Sequence, residues 1–182
     1  LRGVARTLAY GAAGLALKAL VVAGPAAAQD AVRILALGDS LTAGYGLPEG
    51  QGFVPVLQEW LDEAGAGAEV TNAGVSGDTT AGGRARLDWA LDADPDAAIV
   101  ALGGNDLLRG IDPAASRENL DAILSRLRSE EIEVLLVGLE APGNYGPAFK
   151  ADFDAMYPEL AAEHGALHEV SFRGPLTADL PV

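Results

Sequence analysis

Residues 32–46 read VRILALGDSLTAGYG. Val32 to Leu37 is a short apolar run with β-branched and leucine residues, which predicts a buried strand. Gly38-Asp39-Ser40 ends it. Gly38 permits a sharp turn, and Ser40 falls where the chain leaves the strand and can begin a helical turn. A serine there has its own N–H, and those just after it, pointing into one small volume. Acyl transfer needs a nucleophile and donors for the oxyanion, and this turn offers both. The triplet alone is equally a strand-ending turn with Ser40 as a helix cap. It is not the G-x-S-x-G elbow, because Thr42 stands where the second glycine would be. The rest of the chain has to decide between these readings.

The 182 residues suffice for one domain with a full core. Half of them are hydrophobic, aromatics are few and glycine is frequent, a globular composition. The chain has no cysteine, so disulfides and thiolate metal sites are excluded. Its net charge is −14, and residues 29–182 carry −17. A surface this acidic repels nucleic acid and anionic membranes and favours a small or neutral substrate. Residues 1–28 have the pattern of a secretory signal: Arg2 and Arg6, a mostly apolar Leu8–Val22 interrupted by Lys18, then Ala26-Ala27-Ala28 before Gln29. The expectation is export to the periplasm or beyond with cleavage after Ala28, and no stable membrane insertion, since the apolar run is short and broken.

Downstream, Leu41–Gly52 reads as a glycine-rich loop. Phe53, Val56, Leu57, Trp60 and Leu61 fall at helical spacing, predicting a helix that ends near Gly65. Ala68–Asn72 is a second strand. A second helix follows Thr79 and Thr80, with Leu87, Trp89 and Leu91 toward its end. Asp96–Leu102 is a third strand. Asp112 caps and Pro113 opens a helix reaching about Arg128, with Leu120, Ile123, Leu124 and Leu127 as its apolar stripe. Ile132–Leu139 is a fourth strand. A fourth helix, broken or kinked at Pro158, runs to about Glu163, and Leu167–Phe172 is a fifth strand. Strands alternating with helices imply a parallel sheet covered on both faces, a flavodoxin-like three-layer α/β sandwich of strand order 2-1-3-4-5.

Three of these strands end in glycine-marked turns, at Ser40, Gly74 and Asn105, so all three turns lie on one rim of the sheet. Ser40 offers a hydroxyl, Gly74 a backbone N–H and Asn105 a side-chain amide. That set would serve a tetrahedral oxyanion. The stretches GDSLTAGYG (38–46), NAGVSGDTT (72–80) and GGND (103–106) resemble the SGNH hydrolases, also called the GDSL family, in the branch of bacterial thioesterase I, lysophospholipase and arylesterase. The segment LLVGLEAPGNYGPAF (135–149) is similar to that branch's substrate-lining loop, and the resemblance covers roughly residues 32–172.

The resemblance implies Ser40 as nucleophile, and Ser40 N–H, Gly74 N–H and the Asn105 amide as oxyanion hole. It implies Asn144 and Tyr145 beside the acyl pocket and Asp39 holding the turn. Substrates would be small acyl esters or thioesters, with no metal or cofactor and no obligate protein partner. Asp78 and Asp106 read as loop caps. The family's Asp-x-x-His motif, which supplies the general base and the group orienting it, is not found: Asp179 has Val182 at the partner position. Of the two histidines, His164 reads as a helix-end cap and His168 as a half-buried strand residue. The expectation is therefore a single domain over 29–182, incomplete at its C-terminus, without its last helix or its base, and impaired in turnover. The alternative is a non-catalytic module binding acyl or carboxylate groups. A nucleotide binder of the same topology is disfavoured, since residues 38–52 match neither phosphate-cradling glycine pattern.

Overall fold

The computed structural model describes residues 31–170. The predicted alternation is present. Strands β1 (Val32–Gly38), β2 (Ala68–Gly74), β3 (Ala97–Ala101), β4 (Glu133–Gly138) and β5 (Leu167–Val170) form one parallel sheet in the order β2-β1-β3-β4-β5. The helices are α1 (Ser40–Ala43), α2 (Phe53–Glu63), α3 (Thr80–Ala85), α4 (Leu87–Leu91), α5 (Gly104–Leu108), α6 (Pro113–Ser129) and α7 (Pro147–His164). Residues 1–28, the second half of the predicted fifth strand and the expected incomplete C-terminus lie outside the described residues. Among the described residues no helix is long and apolar enough to cross a membrane.

Alternate residues of the strands build the core. Leu35, Leu37, Ala98, Val100, Leu136 and their neighbours on one face are buried against Leu120, Ile123, Leu124 and Leu127 of α6 and Phe153, Met156, Tyr157 and Leu160 of α7. The stripe expected on α6 is therefore its buried face, and Asp112 caps that helix through the Ala114 N–H at 2.9 Å. The intervening residues Ala97, Ile99, Leu135 and Val137 are only partly buried.

Three local expectations need correction. On α2 the buried residue is Val54, whereas Val56 and Trp60 are exposed. The helix is turned by Gln58, whose side chain accepts from Val70 N–H and donates to the Ala68 carbonyl, both at 2.8 Å. Positions 54 and 58 thus face β2, and 56 and 60 point away. The helix after Thr79 is two short helices with Arg86 between them, and Trp89 is exposed. The helix containing Pro158 runs unbroken from Pro147 to His164, after a single 3-10 turn over Gly143–Tyr145.

Register positions the functional rim. Gly38 stands level with Gly74 on one side and Ala101 on the other. The turns that follow β1, β2 and β3 therefore leave the sheet side by side. Behind the third turn, a Cβ on Gly103, whose φ is +115°, would overlap the buried hydroxyl of Tyr157. That hydroxyl donates to the Leu102 carbonyl at 3.0 Å. Gly103→Ala should destabilise the protein by about 1–3 kcal/mol in urea unfolding. Adding Tyr157→Phe, which opens space at the clash, should recover part of that loss. A neutral Gly103→Ala would contradict the packing.

Candidate active site

Ser40 opens α1, and Asp39 caps it by accepting from the Leu41 N–H at 3.0 Å. Among the described residues neither the Ser40 hydroxyl nor its N–H has a hydrogen-bond partner. The serine is thus held by backbone at the head of a helical turn with both polar groups free. Asn105, in α5, reaches across from the β3 turn. Its amide nitrogen donates to Asp39 Oδ2 at 3.1 Å and to the Asp78 carbonyl at 2.8 Å. The three turns are therefore joined through one side chain.

Gly74 does not stand as expected. Its N–H donates to Asn72 Oδ1 at 2.9 Å, and a Cβ there would overlap the backbone of Ala43. Gly74 is small because α1 packs on it, and its donor is already engaged. Three residues on, the Gly77 N–H has no acceptor among the described residues. Its carbonyl accepts from Arg109 Nη2 at 2.8 Å. In the structure Gly74 is the last residue of β2, whereas Gly77 lies in the turn proper, where backbone donors are not taken by a ladder.

The carboxylates are more than loop caps. Asp106 is 1% exposed and accepts from Thr80 N–H at 2.8 Å, Thr80 Oγ1 at 2.6 Å and Ser116 Oγ at 3.0 Å. It fastens the Asn105 turn to α3 and α6. Asp78 pairs with Arg86 Nε at 2.6 Å. Asp39 is 5% exposed, and burial raises its carboxyl above the ordinary value of 3.8, against the lowering effect of its hydrogen bonds to backbone N–H groups and Asn105.

Asn144 is exposed and Tyr145 half-buried on the turn after β4. Among the described residues neither has a hydrogen bond to Ser40. Tyr145 stacks on Phe149 with ring centres 5.0 Å apart, Phe149 on Phe153 at 6.0 Å, and Phe153 meets Tyr157 edge-on at 5.7 Å. This ladder at spacing of four runs along one side of α7 from the rim to the support behind Gly103. The spacing of four is present in the sequence itself. Lys150 and Asp154 hold the same loop from below, through the Ala141 carbonyl and N–H, each at 2.7 Å.

Neither histidine approaches Ser40. His164 bonds Asp121 at 2.8 Å between α6 and α7, and its side chain is 9% exposed, so it is more enclosed than a surface cap. His168 is level with Leu136 in β5, three strands from β1. At strand spacings of about 4.8 Å that is roughly 14 Å from the serine's strand. Asp121, Glu163 and His164 are the grouping with metal-ligand geometry among the described residues, but Glu163 is engaged by Arg117 at 2.6 Å.

Residues 36–178 match the GDSL-like Lipase/Acylhydrolase family. The chain is 43% identical over 131 residues to Esterase TesA of Pseudomonas aeruginosa. That match covers 71% of this chain and 65% of TesA, so the chain spans slightly less than two thirds of that relative's length. The fold superposes on AlinE4, an SGNH-hydrolase family esterase, with a TM-score of 0.74 at 47% identity, over 77% of this chain and 76% of AlinE4. It likewise matches the psychrotrophic esterase EstA of Pseudoalteromonas sp., solved with monoethylphosphonate, with a TM-score of 0.75 at 30% identity over 81% of each chain. The parallel 2-1-3-4-5 sheet is the fold of the SGNH hydrolases. The chain belongs to the GDSL-like lipase/acylhydrolase family.

The buried Asp39 gives a pH test. Its raised carboxyl means that the folded state binds this proton more tightly than the unfolded state. Its contribution to stability is therefore present at low pH and lost as pH rises past about 4 through the folded-state value. Asp39→Asn has no such proton to lose. Its stability relative to wild type, measured by urea unfolding, should improve from pH 4 to pH 7. A difference independent of pH would show that the Asp39 carboxyl is not raised in the folded state.

Proposed function

We propose that the protein is a serine hydrolase of acyl esters or thioesters, arylesterase- or lysophospholipase-like, acting through an acyl-Ser40 intermediate. The observation that carries this reading is the unpaired Ser40 hydroxyl at the head of α1, on one rim with the Gly77 N–H and the Asn105 amide. Ser40 Oγ attacks the carbonyl carbon as its proton passes to solvent, and the negative charge that collects on the carbonyl oxygen falls to the Ser40 and Gly77 N–H groups and Asn105 Nδ2. The ester C–O or thioester C–S bond then breaks, the alcohol or thiol leaves with a proton from solvent, and water cleaves acyl-Ser40 to the free acid. Gly77 replaces Gly74 in that set because the Gly74 donor is engaged by Asn72. Asn105 takes part by sharing one of the two hydrogens it now gives to Asp39 and Asp78. Asn144 and Tyr145 flank the acyl or alcohol group, with the ladder behind Tyr145 as an apolar wall. Residues 1–28 direct export to the periplasm or beyond, with cleavage after Ala28.

Among the described residues His164 and His168 both stand away from Ser40, and neither is placed to serve as its base. Residual catalysis from an oxyanion hole and binding alone is on the order of 10³–10⁴ over water, against losses of about 10⁴–10⁶ for missing triad members. The same observation favours a second reading, a site that binds acyl or carboxylate groups without turnover. Hydrolysis of p-nitrophenyl acetate by wild type and Ser40→Ala separates the two. Turnover above the Ser40→Ala background supports the hydrolase, and turnover restored by appending a C-terminal Asp-x-x-His segment supports it further. Wild-type rates equal to Ser40→Ala in both forms would leave the binding module.

A further inference from the structure

The guanidinium of Arg86 is the one cation built into the scaffold behind Ser40 with its side chain largely enclosed, 17% exposed, among the described residues. It stands at the break between α3 and α4. Nε donates to Asp78 Oδ2 at 2.6 Å, Nη2 donates to the Gly38 carbonyl at 2.9 Å, and Nη1 is buried without an acceptor. The Gly38 carbonyl also accepts from Val75 N–H at 3.0 Å, so β1 and the turn after β2 meet at one oxygen. Asp78, held by Arg86 through its carboxylate, accepts from the Asn105 amide through its backbone carbonyl. Gly82 lies under that carboxylate, where a Cβ would come within 3.0 Å of Asp78 Cγ.

We propose that Arg86 is a positioning residue of the oxyanion site: its fork ties the Gly77-Asp78 turn to the end of β1, and so sets both the Gly77 N–H and the Asn105 amide relative to Ser40. The inference rests on the reading of Ser40 as nucleophile, but the geometry it concerns is independent of turnover. A planar fork that reaches a carboxylate and a carbonyl at once is an arginine property; a lysine ammonium on a flexible stem supplies the charge without the fixed angle. The pair is mostly buried, so loss of one partner leaves an uncompensated charge and the turn gives way. Arg84, two residues earlier, pairs with exposed Glu118 at 3.6 Å and donates to Asn119 Oδ1 at 3.2 Å, and bonds neither Gly38 nor the Gly77-Asp78 turn.

The test uses the ¹⁵N-labelled full chain, with the Asn105 side-chain amide signal identified by its loss in Asn105→Asp. Wild type is compared with Arg86→Met, Arg86→Lys, Asp78→Asn and, as a surface control, Arg84→Met. Removing one oxyanion donor costs about 10²–10³ in rate, so displacing donors should slow phosphonylation of Ser40 by a p-nitrophenyl phosphonate on the order of 10–100-fold in Arg86→Met and Asp78→Asn. In the same variants the Asn105 amide hydrogens should exchange with water about 10-fold faster, as expected when a bond worth about 1.4 kcal/mol of protection is lost. Arg86→Lys should recover only part of both effects, and Arg84→Met should match wild type.

An unchanged Asn105 exchange rate in folded Arg86→Met overturns the proposal. So does an equal acceleration at the Gln58 amide, which bonds Ala68 on the far strand and reports general loosening. Asp78→Asn keeps the size of the side chain and gives the same decision if Arg86→Met does not fold. If wild-type Ser40 is labelled neither as it stands nor with an appended C-terminal Asp-x-x-His segment, the hydrolase reading fails, while the exchange measurement still decides the role of Arg86.

Discussion

The carbonyl oxygen of Gly38 is the point on which the rim depends. It accepts from the Val75 N–H and from Arg86, at the place where β1 ends level with β2 and β3. A backbone carbonyl at the end of a parallel strand has lost its ladder partner and must find another donor. Here the donors come from the neighbouring turn and from a helix junction. Satisfying that oxygen therefore also fixes where the second turn runs relative to Ser40. The arrangement explains why a short strand and a single helical turn suffice to present a nucleophile.

The same economy governs the charges at the rim. Asp39, Asp78 and Asp106 all sit within three residues of a proposed site group, and each is held by defined donors. Asp39 bonds Leu41 and Asn105, Asp78 bonds Arg86, and Asp106 gathers Thr80 and Ser116. Buried carboxylates are tolerated only when their lone pairs are met, and meeting them welds together the loops that carry the donors. The acidic excess of the chain therefore has two parts: a solvated surface share, and a small buried share that does positional work.

The aromatic ladder along α7 joins the rim to the core by another route. Tyr145 is half in solvent, Tyr157 is fully buried, and the two rings between them stack at 5.0 and 6.0 Å from their neighbours toward the surface. Tyr157 anchors its far end on the Leu102 carbonyl beside Gly103. The loop after β4 and the turn that carries Asn105 thus share a support. That gives the proposed acyl wall and the proposed oxyanion donor a common rigid base.

Much was legible in the chain. Residues 32–46 announce the strand, the turn and the serine; the alternation of strands and helices implies a parallel sheet; the stripe of α6 and its Asp112 cap are plain in the residue spacing. These are local or periodic properties, and covalent order with hydrophobic spacing determines them. What the chain could not settle was which groups meet. Gly74 and Gly77 are three residues apart and equally permissive, and only the approach of α1 and the bond from Asn72 show which N–H is engaged. Val56 and Trp60 fit a helical stripe, yet they are exposed, on the side of α2 away from Val54 and from Gln58, which bonds β2. Arg86 carried no signal, because its partners lie 8 and 48 residues away and are brought to it by the register of the sheet. Local pattern specifies elements; partnership across turns is a property of how the strands align, and that alignment exists only in the folded chain.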